Sequence, residues 1–95
     1  MIEKARSFLK VLLSSQDTST IADDLLVFFY DLHDHYRIVH SSGSRFSGKS
    51  FGFLNDLVYN LESRPDETMR SDHWREFIRV VLDDIVAQRI VIAKK

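Results

Sequence analysis

Apolar residues recur in this chain at spacings of three and four, in four separate stretches, and that period commits most of it to helices. Over about residues 2–14, Ile2, Ala5, Phe8, Leu9, Leu12 and Leu13 share one face. Over about 19–36, Ile21, Leu25, Phe28, Phe29, Leu32 and Tyr36 gather within about a third of a helix circumference. The third stretch, about 50–63, carries Leu54, Leu57, Val58 and Leu61. The fourth, about 72–88, carries Trp74, Phe77, Ile78, Val81, Leu82 and Ile85.

The breaks between these stretches have local causes. Ser14-Ser15-Gln16-Asp17 interrupts the first pattern, and Thr20 with Asp23 resembles a capping box for the second helix. Residues 37–49 hold two of the three glycines and four serines, which predicts a loop with a short extended piece at Arg37–His40. Arg64-Pro65-Asp66 ends the third helix, because the residue before proline is pushed out of helical geometry. Ser71 is a plausible N-cap for the fourth. The Arg89–Lys95 tail is expected to be frayed or briefly extended. Short connections between helices 1 and 2 and between helices 3 and 4 make those pairs antiparallel neighbours. The expected architecture is all-α: one antiparallel up-down four-helix bundle spanning residues 1–95.

Size allows one domain and one modest core. With 44% apolar residues, seven Phe, three Tyr and one Trp, the chain has material to fill it. The absence of cysteine removes disulfides, thiolate catalysis and Cys-based zinc sites together. The first ten residues carry Glu3, Lys4, Arg6 and Lys10, so no signal peptide is expected. The longest apolar run, Leu25–Tyr30, is far short of a membrane span. A cytoplasmic protein without membrane contact is the expectation.

The net charge of −1 hides an uneven distribution. Asp17 to Tyr36 contains five aspartates and neither Lys nor Arg. On helix 2, Asp23, Asp24, Asp31 and Asp34 fall opposite the apolar stripe, with no cation at i±3 or i±4 to offset them. Such a face is either simply solvated or waits for a basic partner, with Val27 and Tyr30 beside it to add apolar contact. Arg37 to Ser50 is basic, Asn55 to Glu76 acidic again, and Arg89–Lys95 carries three positive charges. A chain near neutrality is a poor non-specific nucleic-acid binder. Separated charge zones fit the steering of a charged partner.

Gly43-Ser-Arg-Phe-Ser-Gly48-Lys49-Ser50 satisfies the P-loop pattern, in which backbone N–H groups cradle phosphates and the lysine reaches them. Val80–Asp83 imitates the apolar segment and aspartate that support the metal, but lies within a helical period. A P-loop also needs a parallel sheet with long crossovers, for which this chain has no room. A nucleotide-binding protein using Gly43–Ser50 is therefore the alternative reading, and a flexible basic loop the simpler one. His33 and His35 diverge on a helix, and His40 and His73 stand apart, so no metal site is expected. No serine sits in a nucleophile elbow. Asp23-Asp24 and Asp83-Asp84 are read as surface pairs with nothing to bury them, so no catalytic acid is expected. Neither catalysis nor a cofactor is expected. Trp74 and the Phe stripes read as core. Phe46, Phe51 and Tyr59 are less clearly buried, and Tyr59, off the main stripe of helix 3 and near Glu62, is a candidate contact residue.

Three segments together carry a likeness. Ala5-Arg-Ser-Phe-Leu-Lys-Val-Leu-Leu-Ser-Ser through Phe28-Phe29-Tyr30 is an apolar helix, a polar break and an acidic, Phe-rich helix. Phe53-Leu-Asn-Asp-Leu-Val-Tyr-Asn-Leu-Glu-Ser-Arg-Pro-Asp-Glu is a helix running into an acidic Pro-Asp turn, and Asp72–Ile85 is an amphipathic last helix. This arrangement resembles the colicin D-type, or self-protective colicin-like, immunity proteins, which include immunity proteins of contact-dependent growth inhibition toxins. The likeness covers about four-fifths of the chain, and the Pro65-Asp66 turn is its distinctive point. The basic Ser/Gly loop and the Arg89–Lys95 tail depart from it. The resemblance implies a four-helix bundle that binds a toxin nuclease, typically one that cleaves tRNA, and blocks it. At the positions matching the family's acidic turn it implies toxin-binding roles for Glu62, Asp66 and Glu67, with Asp56 and Asp72 nearby and Tyr59 as aromatic anchor. Other small interaction proteins, such as a phage-encoded inhibitor or a secretion chaperone, belong to the same class of alternative.

Overall fold

The computed structural model describes residues 1–14, 18–41, 43 and 51–95. In chain order it has α1 (Ile2–Leu13), a 3-10 turn (Thr18–Ile21), α2 (Ala22–His35), β1 (Tyr36–Ser41), α3 (Phe51–Ser63), α4 (Pro65–Arg70), α5 (Asp72–Val86) and β2 (Ile90–Lys94). The molecule is mostly helical and carries a small two-stranded antiparallel sheet. No helix among the described residues is long and apolar enough to cross a membrane.

The helices pack as their apolar stripes require. α1 lies on α5, α2 on α3, and α4 bridges α3 and α5. Phe29, Leu25, Leu32, Leu54, Leu57, Leu61, Ile78 and Leu82 are buried at the centre. Phe8 meets Phe28 edge-on, with ring centroids 5.5 Å apart, and so closes the α1 side of this core. The α1 stripe is narrower than its period suggested: Ala5 and Leu12 are buried, but Leu13 is 68% exposed. Leu13 is the last helical residue, where the chain turns away at Ser14 before a second apolar surface can cover it. Trp74 and Phe77 pack against the core from its rim, stacked edge-on at 5.8 Å, and are only partly buried.

Two expectations need correction. The chain is not all-α, and the described residues form five helices and not four. The fifth helix is α4, in the connection expected to be a turn. Pro65 ends α3 and, at the same time, occupies the first helical position of α4, where its missing N–H costs nothing. Asp66 and Glu67 fall in the first turn of α4, favoured by the helix dipole, and Thr68 and Met69 are buried. Thr68 Oγ1 donates to the Arg64 carbonyl at 2.7 Å and ties the short helix to the end of α3.

The sheet joins the two segments expected to be loop and tail. α2 gives way at Tyr36 to extended backbone, with φ −127° and ψ 157°. β1 then pairs with β2: Tyr36 opposite Lys94, Arg37 opposite Ala93, Ile38 opposite Ile92, His40 opposite Val91 and Ser41 opposite Ile90, with an irregularity between Ile38 and His40. Tyr36, Ile38, Ile90 and Ile92 pack on the core, and Val39 and Val91 are exposed, which is the alternation of a half-buried strand. Tyr36, placed by its period in helix 2, belongs to the sheet, and the fourth helix stops at Val86, short of Gln88.

The turn into β2 has a definite cause. Gln88 adopts a left-handed φ of 57°. The N–H of Arg89 donates to the Asp84 carbonyl at 2.9 Å, and that of Gln88 to the Ile85 carbonyl at 3.2 Å. This pair of bonds is a Schellman closure of α5, made here with glutamine in the position glycine usually fills. The Arg89 side chain completes it. Its Nε donates to Asp84 Oδ1 at 2.6 Å, and its Nη2 donates to Asp83.

Candidate functional site

α2 and α3 bury their leucines against each other, so their remaining faces stand side by side on the surface. On α2, Val27 is 67% exposed and Tyr30 follows one turn later, with Asp31 and Asp34 beyond. On α3, Tyr59 is 64% exposed and Glu62 follows one turn later. The two helices are linked at the surface: the Tyr30 hydroxyl donates to Glu62 Oε2 at 2.7 Å. The phenol's pKa is raised, first by this hydrogen bond, then by desolvation and by the negative charges of Glu62 and Asp34. The physical reason is that ionising Tyr30 would set an oxyanion against a carboxylate. Glu62 is thereby held in one place beside two exposed apolar side chains.

The residues expected to bind a partner are distributed as follows. Asp56, Tyr59 and Glu62 wind along the exposed side of α3 at three-residue steps. Asp66 and Glu67 follow in the first turn of α4, and Glu67 lines a hollow of about 190 Å³ with Asn60 and Arg64. The Arg64–Glu67 pair, at 3.9 Å between exposed side chains, is a surface pair of small energetic consequence. Asp72 does not join this group. It begins α5 and lines a separate hollow with Leu12, Arg75, Glu76 and Arg79. Among the described residues, Asp56, Asp66 and Asp72 have no ion-pair partner. On α2, Asp23 and Asp24 stand in the first turn, where the helix dipole stabilises them. Asp34 contacts His33 Nδ1 at 2.9 Å.

The reading of Asp83-Asp84 as a surface pair is corrected. The Asp84 side chain is 4% exposed and is held by Arg89, whose guanidinium pKa is raised by the bond to Asp84 and by the charges of both aspartates. A carboxylate so tied to a permanent cation clamps the end of α5 to the start of β2. The sequence signal for it was slight: an arginine five residues on faces the aspartate only because Gln88 reverses the chain.

The P-loop-like segment lies mostly outside the described residues. Gly43 is described, with a left-handed φ of 68°; residues 44–50 are not. Val80–Asp83, the segment that imitates the metal-supporting strand, lies inside α5. The strand before the glycine, β1, is paired antiparallel to β2. Among the described residues, no three His, Asp or Glu side chains gather as a metal site would require. No family model, no curated protein and no solved structure matches the chain.

Proposed function

We propose that the chain is an immunity protein, which binds a cognate bacterial toxin nuclease in the cytoplasm and covers its basic active site with carboxylates. In this reading the helical body is an antiparallel four-helix bundle, α1, α2, α3 and α5, to which α4 and the sheet are added. It carries no catalytic residue, requires no cofactor, and touches neither nucleic acid nor membrane directly. The toxin is of the tRNA-cleaving kind.

One observation carries the reading. The Tyr30–Glu62 hydrogen bond joins the acidic face of α2 to the acidic end of α3, so that two separate runs of charge become one surface with Val27 and Tyr59 exposed beside it. A nuclease site must hold phosphates and is therefore basic. Carboxylates on rigid helices offer such a site what it is built to grip. Complementary charge speeds the encounter, and a few desolvated pairs around an aromatic anchor set the affinity. A carboxylate already fixed by Tyr30 loses less freedom on binding than a free one.

Co-expression with the product of a neighbouring toxin gene tests this. The two proteins are expected to co-purify, and Glu62→Lys, Asp66→Lys and Glu67→Lys together are expected to abolish protection. The triple variant should keep its circular dichroism spectrum, since exposed substitutions change stability by about 0.5 kcal/mol or less each. Protection that survives the reversal removes this surface from the interface. Micromolar binding of ATP or GTP with Mg²⁺, lost in Lys49→Ala, replaces the reading altogether.

A further inference from the structure

β2 is held mainly by parts of the chain far from it in sequence. Its ladder partner is β1, which follows α2 in the first half of the chain. Its last bond runs from the Lys95 N–H to the His35 carbonyl at the end of α2, at 2.8 Å. Ile90 is 3% exposed, and Ile92 packs on the core beside it. The same β2 sequence brought by another copy of the chain meets all of these groups equally well.

The link that keeps β2 at home is short and strained. Ala87, Gln88 and Arg89 alone separate it from α5. Gln88 has a φ of 57°, and no other non-glycine residue among the described residues has a positive φ. In that region the Cβ crowds the following carbonyl oxygen. Extending the backbone at Gln88 relieves the crowding and carries β2 away from its own β1. Short hinges under strain favour exchange of the element they hold. One set of bonds opposes it. Arg89 Nε donates to Asp84 Oδ1 at 2.6 Å and Nη2 donates to Asp83, joining residues five and six apart across the closed hinge. These bonds need the chain reversal at Gln88, so a second copy does not restore them.

We infer that β2 is an exchangeable strand: two copies of this chain trade it reciprocally, each laying Ile90–Lys94 on the β1 and core of the other, with Gln88 as hinge and Arg89 as the latch that favours the monomer. The register selects a second copy as the occupant. Only the same sequence repeats the Tyr36–Lys94, Arg37–Ala93 and Ile38–Ile92 pairs and refills the space of Ile90. Reciprocal exchange closes on itself and stops at a dimer. The ladder broken in each monomer is remade in the dimer, and the strain at both hinges is gone. Val27, Tyr30, Tyr59 and Glu62 lie outside the exchanged strand, so the dimer carries the α2–α3 surface twice. The exchange does not depend on the role proposed for that surface.

Two cysteine variants test this, in a chain that has no cysteine of its own. Arg37 and Ala93 stand opposite each other across the ladder, and a facing pair in an antiparallel sheet is within disulfide reach. Arg37→Cys and Ala93→Cys chains are mixed, unfolded in urea, refolded together at millimolar concentration and oxidised. The expected product is a dimer with one disulfide between an Arg37→Cys chain and an Ala93→Cys chain. The two variants mixed while folded should form it far more slowly. The hinge is tested by sedimentation without cysteines. Gln88→Gly removes the strain at both hinges of the dimer and is expected to lower the dimerisation constant by roughly tenfold. Gln88→Val, which tolerates the left-handed backbone worst, and Arg89→Leu, which opens the latch, should each raise it. Three results would each overturn the inference: disulfides only between like variants, mixed disulfides formed as fast from folded chains as by refolding, or a dimerisation constant that none of the hinge and latch variants moves.

Discussion

The α2–α3 surface and the β1–β2 sheet are both exposed, yet they are made in different ways. The first is a property of side chains on helices that would present the same faces wherever they packed. Asp31, Asp34, Tyr30, Tyr59 and Glu62 lie outward because the apolar stripes of α2 and α3 turn inward. The second is a property of backbone: β1 and β2 come from opposite halves of the chain and exist only through each other. The difference teaches that a charged helical face can be read from spacing, whereas a sheet edge becomes visible only when its partner strand is in place.

The comparison is tested most severely at the core under the first region. Phe29→Ala removes a fully buried ring and is expected to cost about 3–5 kcal/mol, read as a lower urea midpoint. A loss under about 1 kcal/mol would mean that the helical region is not packed as described.

The junction of the sheet with the helices comes next. Arg89→Leu removes the guanidinium bonds to Asp83 and the buried Asp84 and loosens β2 from α5. The melting temperature is expected to fall by roughly 5–10 °C. Amide exchange should rise first in β1 and β2 while α2 and α3 stay protected. If α2 and α3 open together with the sheet, the two regions are one cooperative unit and the contrast between them dissolves.

Gln88→Gly acts on the same junction in the opposite direction. Glycine takes the left-handed backbone of Gln88 without strain, so the variant is expected to gain about 0.5–1 kcal/mol in urea unfolding. No gain would mean that the turn is held by Arg89 alone.

The smallest effect belongs to the first region. Tyr30 is expected to ionise above the ordinary phenol range in an ultraviolet titration, and Glu62→Gln should bring it back down. Because the folded-state pKa is raised, the stability from this hydrogen bond is fully present below the usual phenol pKa near about 10 and is lost as pH rises through the raised value. Titration at the ordinary value would mean that the bond does not link the two helices in solution.

Much of the helical layout was legible. The stripes led by Leu25, Leu57 and Leu82 are buried, and Ser71 Oγ accepts from the Trp74 N–H as an N-cap. The misreadings share a cause. Pro65 was read only as an ending, although the geometry that stops α3 also starts α4. The extended piece at Arg37–His40 and the Arg89–Lys95 tail are legible as extended, but neither alone can show that the other is its partner. Asp84 was read by its place in a helix period, and its burial comes from Arg89 folding back over it.

By itself, the spacing of apolar residues determined that helices form, which faces they bury, and that acidic side chains crowd one side of α2, because a helix needs only neighbours three and four residues away. Tertiary structure alone decided that Tyr30 would meet Glu62, that a loop and a tail would become a sheet, and that Asp84 would be enclosed. Each of these joins groups distant in the sequence or reverses the chain between them, and no local period records which distant surface a residue will meet.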